Sequence, residues 1–319
     1  MGGGTEAGVG DKPALRVVAG VDGGGSRMRA VLVDGTGLEL GRGEAPGCVV
    51  TVETCEAAAN AVLEAVADAS RAAGVRLPVD ALWAGLSGAG REPARLAVLG
   101  RLRDAGLAPS VDVGTDAEAA FQDAFPDGPG ILVIAGTGSI AWSRDERGRT
   151  GRVGGWGTHL GDGGSGYAIG MAALRRVALA EDGRERPTAL KDRLLARLGL
   201  EDPRELIEWA GRAGKRDVAA LVPMVEGAAD QGDAVAASVL DEAAAELDAH
   251  VAAVLERTGP WSENPRLALC GGLVWERGPL RTRIVRALAG HRVALVERDV
   301  DPPLGAARLA LGLLAYRGS

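Results

Sequence analysis

Residues 18–33 read VAGVDGGGSRMRAVLV: an apolar run, one acid, three glycines, a serine and then alternating residues. A glycine-rich segment after a strand is a common phosphate-binding design, and the residues after the glycines decide which design it is. A dinucleotide fingerprint needs its glycines to open a helix. Here Met28, Ala30 and Leu32 alternate with Arg29, Val31 and Val33 and soon meet the turn DGTG at 34–37. That is the period of a strand, so the glycines close a β-hairpin. A Walker loop is absent, since the AGKR of residues 213–216 lacks both the hydroxyl and the spacing.

The same plan recurs. After FPDGPG at 125–130, residues 131–154 read as strand, Gly-rich turn, strand, polar turn and strand. The first half places strands at 15–21, 28–33 and 38–42, a helix at 56–73, a buried strand running into a Gly-rich loop over 79–90, a helix at 92–105, a strand at 110–116 and a helix at 117–124. The second half continues from a loop at 155–166 into a helix from about Tyr167. Helices come next at 188–198, 204–213, 218–229 and 234–257, then a strand at 266–273, a helix, a strand at 292–297 and a closing helix at 304–316. This is approximate duplication at domain scale. We expect a tail at 1–14, one domain over 15–125 and a second, with a helical insertion, over 126–319.

Two facing Gly-rich hairpins then supply the phosphate site. Gly23, Gly24, Gly25 and Ser26 form one, and Gly136, Thr137, Gly138 and Ser139 the other. Glycine lets backbone N–H groups approach phosphate oxygens, and a hydroxyl adds a donor. A plain tight turn accounts for GGG alone; a second copy at the equivalent place does not fit that account.

Composition narrows the partners. The formal charge is −7 over 319 residues with no long Lys/Arg block, which argues against nucleic acid. No apolar run approaches the length of a membrane span, and the N-terminus lacks a signal segment. Three cysteines, Cys48, Cys55 and Cys270, contain no CxxC pair and fit a reducing cytoplasm.

Together GVDGGGSRMRAVLVD, GTDAEAAF, IAGTGSIAW, GGWGTHLGDGGSGYAIG and ALCGGLVWE resemble the N-acetylglucosamine kinase family. That family belongs to the actin/sugar kinase/Hsp70 superfamily and is close to the ATPase activators of benzoyl-CoA-type reductases. The resemblance runs from about residue 15 to residue 317, with the motifs in family order. It implies an α/β chain of two ribonuclease-H-like, actin-like ATPase domains closing on ATP and an amino sugar across a central cleft.

A sugar kinase needs a base for the attacking hydroxyl and positive charge on the phosphates. Asp116 sits where a strand ends and a helix begins, and the resemblance makes it the catalytic base; plain helix capping is the competing role. Asp22 resembles the acid that faces Mg²⁺, through water, with turn initiation as its ordinary role. By the same comparison Asp162, Gly155, Trp156 and Gly157 bind sugar hydroxyls, and Ser139 and Ile140 touch the sugar. Gly271 and Gly272 match the adenosine-side turn, and Ala219 and Ala220 lie under the adenine. His159 has no partner at metal-ligand spacing, while Trp83 and Trp275 read as packing.

Three positions depart from the family. Cys48 stands about where an asparagine contacts the sugar, Gly163 replaces the acid of GDEGS, and Ala168 replaces a bulky aromatic. The phosphate machinery is thus more constrained than the sugar pocket, and a pocket built from hydrogen bonds discriminates strongly. N-acetylglucosamine phosphorylated at the 6-hydroxyl leads, followed by glucosamine and other hexosamines. An ATPase activator of a partner enzyme is the reading from another class, but it requires cluster-ligating cysteines that this chain does not offer. A sensor that binds sugar without turnover does not need an intact Asp116. The family pattern also implies a homodimer.

Overall fold

The computed structural model describes residues 16–126 and 128–315. The expected tail at 1–14, the first residue of the first strand, Asp127 and the residues from 316 onward lie outside the described residues.

Strands β1 (Val17–Gly23) and β2 (Arg27–Asp34) pair antiparallel, with Val21 opposite Ala30 and Gly23 opposite Met28. The glycine run therefore closes a hairpin and opens no helix. Asp34 builds the next turn by accepting the N–H groups of Thr36 and Leu38 on one carboxylate oxygen. Strand β3 (Glu39–Pro46) completes the meander and runs four residues beyond the expected end. Helix α1 (Cys55–Ala73) buries a stripe at Ala58, Val62, Ala65, Val66 and Ala69. It rides directly on β3: a Cβ on Gly43 would lie 2.2 Å from the Ala69 nitrogen. Strand β4 (Ala81–Leu86), helix α2 (Glu92–Asp104), strand β5 (Val111–Gly114) and helix α3 (Asp116–Ala124) come next. The sheet order is β3-β2-β1-β4-β5, with β4 and β5 parallel to β1.

The second sheet repeats this plan. Strands β6 (Gly130–Ala135), β7 (Ser139–Arg144) and β8 (Thr150–Gly154) form the meander. Strands β9 (Arg266–Cys270) and β10 (Ala294–Leu295) add in parallel, giving the order β10-β9-β6-β7-β8. Between β8 and β9 lies the helical insertion: α4 (Gly166–Glu181), α5 (Leu190–Leu198), α6 (Glu205–Arg212), α7 (Lys215–Ala219), α8 (Val222–Asp230) and α9 (Ala234–Thr258). Helix α10 (Arg281–Leu288) separates β9 from β10.

Two expectations are corrected. The single helix expected over 218–229 is two helices, because Pro223 lacks the N–H that an interior position requires and sits in the first turn of α8. The strand expected over 292–297 pairs only at Ala294 and Leu295.

The last helix, α11 (Pro302–Ala315), belongs to the second half of the chain but packs on the first sheet. It comes close to β1 and α3 at two glycines. A Cβ on Gly20 would lie 2.1 Å from the Ala307 nitrogen, and one on Gly305 would lie 1.9 Å from the Ala119 carbonyl oxygen. Asp123, on α3 and 1% exposed, binds the returning segment: Arg298 Nη1 at 2.6 Å, Arg308 Nη1 at 2.5 Å and the Asp301 N–H at 2.9 Å. Beside it, Phe121, Phe125, Leu132, Ala268 and Cys270 form a small core shared by the two halves. This junction holds α3, and so Asp116 at its start, against the second sheet.

Candidate active site

The two Gly-rich turns meet. Ser26 Oγ and Thr137 Oγ1 lie 3.4 Å apart across the cleft between the sheets. In the first turn the Gly24 N–H donates to the Arg27 carbonyl at 3.0 Å; in the second the Gly136 N–H donates to the Gly138 carbonyl at 2.9 Å. Neither turn needs glycine at these positions for its own shape. A Cβ on Gly24 would have its nearest neighbour at 3.9 Å, one on Gly136 would meet nothing within 4 Å, and neither has a positive φ. What glycine preserves there is open approach to the backbone. Gly25 and Gly138 are more crowded, by Val49 and by Lys215 Nζ, respectively.

The two acids lie beside the turns. Asp22 is the penultimate residue of β1, and its Oδ2 accepts from Arg29 Nη2 at 2.6 Å. Asp22 and Arg29 are direct cross-strand partners, so the hairpin register itself supplies this counter-ion. Burial nevertheless outweighs Arg29 and raises the Asp22 carboxyl above the ordinary range. Asp116 is the first residue of α3, but it does not cap that helix. Thr115 does, in a reciprocal capping box with Glu118. Asp116 Oδ1 accepts the adjacent Ala117 N–H at 3.0 Å, with Ser87 as a side-chain partner. Burial first, and then the negative charge of Asp22, push its pKa up to about 6. The effect of Asp22 on Asp116 places the two carboxylates in one electrostatic neighbourhood.

The expected sugar side is also brought together. Ser139, 3% exposed, donates from Oγ to the Gly163 carbonyl at 2.6 Å, and its N–H lies 3.5 Å from Asp162 Oδ1. Ile140 packs under Gly155, and Trp156 and Gly157 continue the loop, with Trp156 66% exposed and Arg152 stacked 5.5 Å from its ring. His159 is exposed on the same loop. Asp162 is buried, is the one non-glycine residue with positive φ among the described residues, and holds Lys215 Nζ at 2.7 Å on Oδ2. Cys48 sits just beyond β3, where the preceding Gly47 N–H donates to the Ser26 carbonyl at 3.4 Å. Glu246 of α9 stands beside Gly163: a Cβ there would lie 2.5 Å from its Oε2.

On the expected adenosine side the two glycines differ. Gly271 has φ +103°, and a Cβ there would lie 2.3 Å from the Ala135 carbonyl oxygen, so the fold itself requires it. Gly272 faces open space. Ala219 ends α7 and Ala220 comes directly after it; a Cβ on Gly166 would lie 3.2 Å from both Ala219 Cβ and the Gly136 carbonyl oxygen. Trp83 is buried as expected, whereas Trp275 is 42% exposed.

Lys215 and Arg216 are the residues that sequence reasoning set aside. Arg216 Nη2 donates to the Ser26 carbonyl at 2.7 Å, from the other side of the cleft. The signal was present as AGKR, but only the tertiary contacts bring those cations to both turns. The carboxylate oxygens of Asp22 and Asp116 suit a hard cation, and backbone N–H groups suit the oxygens of a phosphorylated ligand. Among the described residues, no group of three His, Cys, Asp or Glu side chains gathers around one point. The cysteines are free, and Cys270 is buried with its thiol pushed up by burial. No helix is long and apolar enough to cross a membrane among the described residues.

Known proteins share this architecture. The family model described as BadF/BadG/BcrA/BcrD ATPase family matches residues 19–310. An N-acetylmuramic acid/N-acetylglucosamine kinase of Clostridium acetobutylicum is 33% identical over 266 residues, covering 82% of this chain and 86% of that protein. An N-acetyl-D-glucosamine kinase of Dictyostelium discoideum is 30% identical over 315 residues, covering 92% and 98%. A solved structure from Chromobacterium violaceum, provisionally named an N-acetylglucosamine kinase, superimposes with a TM-score of 0.78 at 29% identity, covering 94% of this chain and all of that one.

Proposed function

Because the chain belongs to the BadF/BadG/BcrA/BcrD ATPase family, we propose that it is an ATP-dependent amino-sugar kinase that phosphorylates N-acetylglucosamine at the 6-hydroxyl. The observation that carries this reading is Asp116: relieved of capping by Thr115, half-buried, and with a pKa of about 6, it has the properties of a general base at the mouth of the cleft.

In this mechanism the turns at 23–26 and 136–138 hold the phosphates of ATP with the N–H groups not already spent inside the turns and with the Ser26 and Thr137 hydroxyls. Ala219 and Ala220 bound the adenine, with Gly271 and Gly272 leaving room on the nucleoside side. Ser139, Ile140, Gly155, Trp156, Gly157, Asp162 and Cys48 border the sugar. Asp116 removes the 6-hydroxyl proton as the oxygen attacks the γ-phosphorus; the bond to the β,γ-bridging oxygen breaks and ADP leaves. The products are the sugar 6-phosphate and ADP, with the proton on Asp116.

Mg²⁺ fits the donor set. Asp22 is a shielded carboxylate raised by burial, with Arg29 bound to Oδ2, and its hard oxygens suit a cation held partly through water. When bound, the ion supplies charge neutralisation on the phosphates. The same reading carries a homodimer in a cytoplasmic setting.

The test is coupled ADP release across a panel of amino sugars, with wild-type protein and Asp116→Asn. Release that depends on one sugar and is lost in the variant supports the reading. Sugar-independent release that survives the substitution refutes it. Turnover of glucosamine or another hexosamine in place of N-acetylglucosamine reassigns the sugar and keeps the kinase.

A further inference from the structure

We propose that Lys215 and Arg216 form a cationic arm of the nucleotide site, contacting the phosphate chain from α7 while Asp162 holds Lys215 in position. This deepens the kinase reading and rests on it only for the presence of ATP in the cleft.

The two side chains reach the two Gly-rich turns separately. Lys215 Nζ sits against the second turn, 2.9 Å from where a Gly138 Cβ would project. Arg216 Nη2 spans the cleft to the carbonyl of Ser26 in the first turn, at 2.7 Å. The hydroxyls of those same turns approach to 3.4 Å. Both cations therefore stand where a polyphosphate enclosed by the turns would run.

Their partners leave donors unspent. The Lys215 ammonium has three protons, of which the ion pair with Asp162 Oδ2 at 2.7 Å uses one. Its side chain remains 37% exposed, while Asp162 is 3% exposed. A buried carboxylate and a part-exposed ammonium make an asymmetric pair: the acid is fixed, and it holds the lysine aimed at the turn. Asp162 is thereby a positioning residue for Lys215, alongside its expected place near the sugar. Arg216 is exposed and keeps most of its five donors.

Charge makes the same demand. Asp22 and Asp116 already raise the negative potential beside the turns, and burial raises both of their carboxyls. A polyanion entering there requires positive charge close by. Arg29 is committed to Asp22; beside the cation of the kinase reading, Lys215 and Arg216 supply positive charge at the turn tips. Ala219, expected beneath the adenine, lies one helical turn from Lys215, so a nucleotide laid along α7 joins both expectations.

The experiment is calorimetric titration of wild-type, Lys215→Met, Lys215→Arg and Arg216→Ala proteins with ATP, ADP and adenosine. Loss of a charge-assisted phosphate contact weakens ATP binding by about tenfold or more, with adenosine changed by less than about twofold. Lys215→Arg recovers part of the loss, because the charge is kept. Asp162→Asn weakens ATP in the same direction. ATP affinity within about twofold of wild type in both Lys215→Met and Arg216→Ala overturns the proposal, as does an equal loss for adenosine. Should Lys215→Met give no cooperative melt, Lys215→Arg and Arg216→Ala decide by the same criteria. A wild-type protein that binds ATP through its phosphates but turns over no amino sugar refutes the kinase reading and leaves this arm standing.

Discussion

Ser26 and Thr137 are 111 positions apart in sequence, yet their hydroxyls approach to 3.4 Å. Each lies in a short turn of an equivalent hairpin in a duplicated sheet, and neither turn completes the proposed phosphate site alone. Their contact is the point at which an internal duplication becomes a two-sided cleft.

Asp116 is expected to be a base and a local destabiliser at once. Asp116→Asn lowers kcat by about 10²–10⁴-fold, the usual contribution of a positioned base, with a smaller change in KM for ATP. At pH 7–8 the same variant melts higher, by on the order of 1–2 kcal/mol of stability, because an uncharged amide replaces a carboxylate that burial disfavours. Steady-state kinetics and thermal denaturation of the one variant check both.

The pH dependence comes from the same group. With its pKa raised to about 6, Asp116 is protonated below that value and cannot accept the hydroxyl proton. The logarithm of kcat/KM therefore falls with unit slope below about pH 6 and is level above it. Stability runs the other way. The unfolded carboxyl releases its proton near 3.8 and the folded one near 6, so the native state binds more protons between them and loses stability as pH rises through that window. In Asp116→Asn both trends at this group disappear.

The turn glycines are expected to serve the ligand. At Gly24 and Gly136 a methyl group meets no close neighbour and no unfavourable φ. Gly24→Ala and Gly136→Ala leave the melting temperature nearly unchanged, within about 0.5 kcal/mol. Each raises KM for ATP several-fold by standing between the backbone and the phosphates. Unchanged KM in both variants would make these turns structural and nothing more.

Gly305 tests the docking of α11. An added Cβ falls 1.9 Å from the Ala119 carbonyl oxygen, and backbone cannot step aside as a flexible side chain does. Gly305→Ala costs about 1–3 kcal/mol in denaturant unfolding through overpacking. Since α3 carries both the contact and Asp116, kcat falls in the still-folded variant.

Much of the fold was legible because its signals are local. Alternation after Gly25 declares a hairpin, Pro and Gly at 125–130 mark the restart, and the apolar stripe of α1 is written at helical spacing. The acids are legible for the same reason: Asp22 and Asp116 stand where strands end. Periodicity does not say which sheet a helix covers, so the return of α11 to the first sheet had no local mark. Nor does spacing distinguish Gly271, required by the Ala135 backbone, from Gly272, which faces open space.

The sequence alone determined the two Gly-rich hairpins, their pairing in a duplicated plan and the acids beside them, because each rests on residues close together in the chain. Tertiary structure decided what those elements face. It gave the capping role to Thr115 and so freed Asp116, buried Asp162 against Lys215, and set Arg216 across the cleft on Ser26. The physical reason is range: turns and strands arise from neighbouring residues, whereas the charge and burial that set a site's chemistry come from side chains that only folding brings together.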